Sequence, residues 1–267
     1  MPVHIVQSKH NERLKQLRRA LSMPGRDPRG LAGIEGPNLL HEALRAGLLI
    51  HCVFAADDAR HLLDDFQLPP ETEILLMPRT LLASALTTEA PQPIAALLQP
   101  PHWDWPLLLD TSRATPTLLV ILAGLQDPGN LGTILRSAEA FAAHGVVCLP
   151  GTVSPWNPKA VRASAGSLFR LPLLTASADE CFLRLRQAGI RVLTTAVHGA
   201  QFANLAHLHA PVAIIIGNEG NGVPSEIATL ADSAITIPCP GPVESLNASV
   251  AASILLYEAS CQRKARL

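Results

Sequence analysis

The chain has 267 residues, 48% of them hydrophobic and 16% charged, with a formal net charge of −1. That balance excludes a disordered chain and allows one large domain or two smaller ones, of which two fit the proline punctuation better. No run of eighteen apolar residues occurs, and the start, with His4, Gln7, Lys9 and His10, lacks a signal-peptide core; no membrane association and a cytoplasmic location are expected.

The first thirty residues carry Lys9, Arg13, Lys15, Arg18, Arg19, Arg26 and Arg29 against only Glu12 and Asp27. Leu14, Leu17 and Leu21 recur at helical spacing over residues 11 to 21, so the cations share a helix face that reads either as a phosphate-seeking patch or as an ordinary solvated face. A turn from Pro24 to Gly30 follows. Gly36-Pro37-Asn38 opens a second helix that ends near Gly47, and His51 to Ala55, Ile74 to Met77 and Ile94 to Leu98 read as short strands. Prolines crowd from Pro91 to Pro116, which sets a domain boundary near 110 to 116.

Beyond it the pattern becomes regular. Thr117 to Ala123, Val146 to Leu149, Ile190 to Ala196 and Val212 to Ile216 are apolar strands, alternating with helices over Leu131 to Ala143, Pro158 to Ser164 and Ala178 to Ala188. Alternation of this kind implies an α/β fold with a parallel sheet covered on both faces and ligands at the carboxyl ends of its strands.

Three loops fall at those ends. The first, Gln126 to Thr133, enters a helix bearing Arg136, Ser137 and Glu139. It lacks the spacing of a nucleotide-binding loop. Arg136, read as lying near a helix N-terminus, suits either a bound anion or an ion pair with Glu139. The second loop, Gly217-Asn218-Glu219-Gly220-Asn221-Gly222, has glycines that permit close backbone approach. In the third, Pro238, Pro240 and Pro242 stiffen a loop that passes through Ser245 and Asn247 into an apolar helix carrying Leu246, Val250, Ile254, Leu255 and Tyr257. Alone, this junction reads as a helix cap or as one wall of a site.

Cys52, Cys148, Cys181, Cys239 and Cys261 are odd in number and widely spaced, with no C-x-x-C pair, and read as free thiols. His207-Leu208-His209 has no acidic or cysteine partner at ligand spacing, so no metal is expected.

Asn130-x-Gly132-x-x-x-Arg136-Ser137-Ala138, then Ile216 to Val223, then Ile237-Pro238 through Gly241 to Ser245-Leu246-Asn247-Ala248-Ser249-Val250-Ala251 resemble, in order, the three motifs of the SpoU (TrmH-like) family. These are S-adenosylmethionine-dependent RNA ribose 2′-O-methyltransferases of the SPOUT class. The resemblance covers about residues 117 to 262. Residues 159 to 167 are similar to a further family segment, and the N-terminal region to the family's ribosomal-protein-like substrate-binding domain.

That resemblance implies an N-terminal RNA-binding α/β domain over 1–110, a linker over 111–116, and a methyltransferase domain over 117–267 whose parallel sheet holds a deep trefoil knot. It implies S-adenosylmethionine as cofactor, a homodimer, and ribosomal RNA as a better candidate substrate than transfer RNA. Asn130, Arg136, Glu219, Ser245 and Asn247 match the polar catalytic set, in which the resemblance implies Arg136 as the base or as a phosphate anchor. Thr195, Ala196, Gly217, Asn218, Ile237, Cys239 and Leu246 match the cofactor loops, with Cys239 standing where methionine is common and Asn218 where a smaller residue is. Lys9, Arg13, Arg18, Arg19 and Arg136 are the expected RNA contacts. The competing readings are a non-catalytic RNA-binding protein that keeps the fold, suggested by the basic N-terminal face, and methylation of a base.

Overall fold

A computed structural model of the chain describes residues 1–22, 30–110, 112–197 and 200–264. Arg26, Arg29, Asp27, most of the turn at 24–30 and Thr111 of the 111–116 segment lie outside these. The chain divides into two compact units, one of residues 1–102 with 154–170, the other of 103–153 with 171–267. The division falls at His102/Trp103, ahead of 111–116, because Trp105, Leu108 and Leu109 pack on the second core.

The first unit holds strands β1 (Val3–Ile5), β2 (Ala32–Glu35), β3 (Ile50–Ala56), β4 (Glu73–Met77) and β5 (Ile94–Leu98), with helices α1 (Glu12–Ala20), α2 (Pro37–Arg45) and α3 (Arg79–Ala83). Its sheet runs β1-β4-β3-β5-β2, parallel between β1, β4 and β3 and antiparallel between β3, β5 and β2. Asn11 Oδ1 caps α1 by accepting from the amides of Arg13 and Leu14, and Leu14, Leu17 and Ala20 sink into the sheet. Each fully buried leucine stabilises the fold by about 1.5–3 kcal/mol. At Gly36 φ is 101°, which turns the chain out of β2 so that Pro37 can open α2.

The second unit contains α4 (Trp105–Leu108), β6 (Leu118–Leu122), α5 (Pro128–Ala140), β7 (Gly145–Cys148), β8 (Leu173–Thr175), α7 (Ala178–Gln187), β9 (Arg191–Thr195), β10 (Gln201–Phe202), β11 (Val212–Ile216), α8 (Ser225–Ala228), β12 (Ser233–Thr236) and α9 (Ala248–Lys264), while α6 (Pro158–Ser164), between β7 and β8 in sequence, clusters with the first unit. The sheet order is β10-β12-β9-β11-β6-β7-β8, and every pairing is parallel. Strands β6 and β11 are buried at all five positions, as expected where helices cover both faces.

Helix α5 begins at Pro128, earlier than the expected Leu131. Asp127 accepts from the Asn130 amide and Pro128 occupies the first turn, a start signal that the apolar spacing alone does not reveal. Arg136 is therefore the ninth of thirteen helical residues, well beyond the first turn, and the expected end-of-helix electrostatics do not apply to it. Short strands β1, β2, β8, β10 and β12 carry too few apolar residues in alternation to stand out in the sequence.

Candidate active site

Strand order reverses at β6, whose neighbours are β7 on one side and β11 on the other. Crevices at the carboxyl ends of parallel strands form at such a switch point, and the first two loops leave β6 and β11 side by side there. The end of β9, which bears Thr195 and Ala196, lies beside β11, and the end of β12, which leads to Ile237, lies one strand further, beside β9.

Glu219 ties the second loop to the first. Its Oε1 accepts from the Asp127 amide at 3.0 Å and from Asn130 Nδ2 at 3.1 Å, and its Oε2 accepts from the Gln126 amide at 3.2 Å. Desolvation pushes the Glu219 carboxyl up, but the donors Asn130, Asp127 and Gln126 outweigh it and hold the group below the usual carboxylate range. Because a carboxylate only accepts, Asn130 must turn its NH2 toward Glu219 and its oxygen away. That oxygen accepts from Asn247 Nδ2 at 3.1 Å. Asn247 Oδ1 in turn accepts from the Ser249 amide at 2.9 Å, from its hydroxyl at 2.7 Å and from the Val250 amide at 3.3 Å, capping α9. One line of polar groups thus joins all three loops.

The remaining expected residues divide into two groups. Asn218 is spent on backbone groups: Oδ1 accepts from the amides of Gly220 and Asn221 in its own loop, while Nδ2 donates to the Gly124 carbonyl beyond β6 at 2.9 Å. Gly217 is buried, and a Cβ there would overlap the backbone of Gly222 and Val223, so no other residue fits this fold-back. Thr195 Oγ1 donates to the Ile215 carbonyl at 2.9 Å, Ile237 and Leu246 are half-buried, Ala196 is partly buried, and Cys239 is exposed. By contrast, Arg136 and Ser245 are exposed and their side chains make no hydrogen bond or ion pair among the described residues. The pair with Glu139 considered for Arg136 does not form.

On the first unit the basic helix face is partly neutralised. Arg13 pairs with Glu73 at 2.7 Å and bonds Gln16, Lys15 pairs with Glu12, and Arg18 reaches the Ser84 carbonyl at 3.5 Å. Lys9 and Arg19 remain exposed without such partners among the described residues. Sequence reasoning named the loop from Gln126 onward but gave no site role to Gln126 and Asp127, whose backbone amides hold Glu219; the Asp-Pro step is the signal that could have assigned one.

No helix among the described residues is long and apolar enough to cross a membrane, and among them no cluster of histidine, cysteine or acidic side chains is arranged to hold a metal.

Residues 117–257 match the model of the SpoU rRNA Methylase family. The chain is 30% identical over 253 residues to the 23S rRNA (guanosine(2553)-2′-O)-methyltransferase RlmP of Bacillus subtilis, covering 94% of this chain and 97% of that protein. Among solved structures, the SpoU methyltransferase AviRb from Streptomyces viridochromogenes in complex with AdoMet superimposes with a TM-score of 0.83 at 30% identity, over 96% of this chain and 99% of that one. The AdoMet-bound rRNA methyltransferase from Sinorhizobium meliloti gives 0.84 at 28% identity, over 99% of both chains. With three ordered motifs converging at the switch point of an all-parallel sheet and matches spanning nearly the whole chain, the protein belongs to the SpoU rRNA methylase family.

Proposed function

We propose that the protein is a cytoplasmic enzyme that transfers a methyl group from S-adenosylmethionine to a ribose 2′-hydroxyl of RNA, ribosomal RNA ahead of transfer RNA. The observation that carries this reading is the hydrogen-bonded line from Glu219 through Asn130 to Asn247, which gathers the three motif loops while leaving Arg136 and Ser245 unpaired. The action of the Bacillus subtilis relative on a 23S rRNA guanosine supports the ribosomal substrate.

The residues present fit the cofactor. Ile237 and Leu246 give an apolar flank, the chain ends of β9, β11 and β12 lie side by side, and the fold-back at Gly217 leaves no room for a side chain there. When bound, S-adenosylmethionine supplies an electrophilic methyl group on a sulfonium sulfur. Thr195, Ala196, Gly217, Ile237, Cys239 and Leu246 would hold it, while Asn218 acts one step back by shaping the loop.

A 2′-hydroxyl is a weak nucleophile that must be aligned and must lose its proton. A guanidinium offers a planar fork of donors suited to phosphate, so the role of Arg136 is to grip the phosphate beside the target ribose and favour ionisation of the hydroxyl. The free Ser245 hydroxyl can accept from or donate to the same 2′-oxygen. Asn130, Glu219 and Asn247 hold the loops in register.

The same reading includes the family's deep trefoil knot in the methyltransferase domain over 117–267, and an RNA-binding role for the N-terminal domain over 1–110. Lys9 and Arg19 are its free phosphate contacts; Arg13 and Arg18 contribute by exchanging their present partners. Arg162 of α6, clustered with that unit, is a further exposed guanidinium without a partner among the described residues. A homodimer is supported by α9, where Val250, Ile254 and Tyr257 are 47%, 38% and 57% exposed along one stripe.

The test is incubation of the purified protein with labelled cofactor and RNA lacking the modification, followed by digestion to nucleosides. Label in a 2′-O-methyl nucleoside is the expected result; label on a base, or none with any RNA, overturns the reading. Arg136→Ala should lower the rate by about 100-fold or more while cofactor affinity in calorimetry stays unchanged. Absence of cofactor binding at millimolar concentration would favour the non-catalytic alternative.

A further inference from the structure

We infer that Ser253, acting with Ser137 and Ser249, is a positioning residue that sets the rotation of α5 and so the aim of Arg136. This rests on the methyltransferase reading for its consequence, though not for its geometry.

Helices α5 and α9 pack against each other. At their contact, Ser137 Oγ lies 2.7 Å from Ser253 Oγ, and Ser253 Oγ donates to the Ser249 carbonyl at 2.7 Å. A hydroxyl has one proton. Since that of Ser253 is given to Ser249, the proton in the inter-helix contact comes from Ser137. One turn back, the Ser249 hydroxyl donates to Asn247 Oδ1, the Asn247 amide donates to Asn130 Oδ1, and the Asn130 amide donates to Glu219. Every donor points the same way, toward the one carboxylate at the end, in two runs that meet at Ser249, whose carbonyl accepts from Ser253 and whose hydroxyl donates to Asn247. Ser249 is 7% exposed, whereas the Asn247–Asn130 and Asn130–Glu219 bonds are open to solvent.

The rotation follows from helix geometry. Asn130 and Ser137 are seven residues apart, which places them within about 20° of each other on α5. Both are bound from α9, Asn130 through its cap residue Asn247 and Ser137 through Ser253, so α5 is held at two points on one face. Arg136 stands one residue before Ser137, about 100° round the helix, on the exposed side. Losing the Ser253 contact leaves the Asn130 end as the polar tie to α9, beside the packing of Leu131, Ile134, Leu135 and Ala138 and the edge contact of Phe141 with Tyr257. A back-bond from serine to the carbonyl four residues earlier is common in helices. It does not explain the second partner, contributed by another helix 116 residues away in sequence.

The experiment compares Ser253→Ala, Ser137→Ala, the double variant and Ser253→Thr in single-turnover methyl transfer at a temperature far below unfolding. The expected result is a rate about fivefold to tenfold lower for either alanine variant, the scale of one lost hydrogen bond. The double variant should be no slower than the singles, and Ser253→Thr should recover most of the rate, with cofactor affinity unchanged throughout. A Ser253→Ala rate equal to wild type, or independent losses that multiply in the double variant, overturns the inference. If the wild-type protein methylates no RNA, the functional reading fails separately. The side-chain amide resonances of Asn130 and Asn247 then test the chain alone: they shift in both Ser253→Ala and Glu219→Gln if the series is continuous, and immobility in Ser253→Ala overturns it.

Discussion

The side-chain amide of Asn247 donates to Asn130 Oδ1 at 3.1 Å, across 117 residues of sequence. Each side chain has a second duty: Asn130 serves Glu219 and Asn247 caps α9. Turning over Asn130 breaks two bonds and turning over Asn247 breaks four, so the first and third loops share one fixed geometry.

Glu219→Gln is expected to disturb this arrangement more than its near-identical shape suggests. A glutamine amide must point its NH2 at either the Gln126 amide or the pair formed by the Asp127 amide and Asn130, placing donor against donor. Methyl transfer should fall at least about tenfold, in line with loss of a charge-assisted bond. Single-turnover rates decide it, and a rate within twofold of wild type would remove Glu219 from the arrangement.

On α9, Ile254→Glu should separate the proposed homodimer into monomers. Ile254 is 38% exposed in the single chain, so the charge costs little there, yet it would be desolvated between two copies. Sedimentation equilibrium should show twice the chain mass for wild type and a single chain mass for the variant. A wild-type protein that sediments as a monomer at micromolar concentration sinks the dimer.

Acid sensitivity should trace in part to His144. Burial, reinforced by the positive charges of Arg113 and Arg263, pushes its imidazole down to about 4 from the ordinary 6.5. Its Nδ1 accepts from the Leu118 amide at 3.0 Å, which needs the neutral ring. The unfolded chain therefore takes up this proton first. The stabilising contribution is complete above pH 6.5 and is lost as pH falls from there toward 4. His144→Asn keeps an acceptor for Leu118 but cannot titrate. Its Tm should drop less than that of wild type between pH 7.5 and 5, and equal drops would exonerate His144.

Much of the second unit is legible residue by residue. Five consecutive buried apolar residues in β6 and in β11 announce strands covered on both faces, and in the first unit the helix over Pro158 to Ser164 is bounded by its own cap and proline. The third loop reads from sequence as either a cap or a site wall, and Asn247 serves both ends, capping α9 while reaching Asn130. Less legible is the apolar spacing of Val250, Ile254 and Tyr257, which resembles a core stripe although the single chain leaves all three exposed. Periodicity reports that a face is apolar, not what covers it.

By itself, the sequence determined the α/β class, the places where the chain turns, and the polar residues gathered in three motifs, because those depend on local preference and on the period of apolar residues. Tertiary structure alone decided which of the polar residues are spent on one another. Glu219, Asn130, Asn247 and Asn218 bond neighbours far away in sequence, whereas Arg136 and Ser245 stay exposed with no such bond among the described residues. Strand order is the physical reason: bringing β11 beside β6 and packing α9 on α5 creates those neighbours, and no local pattern records it.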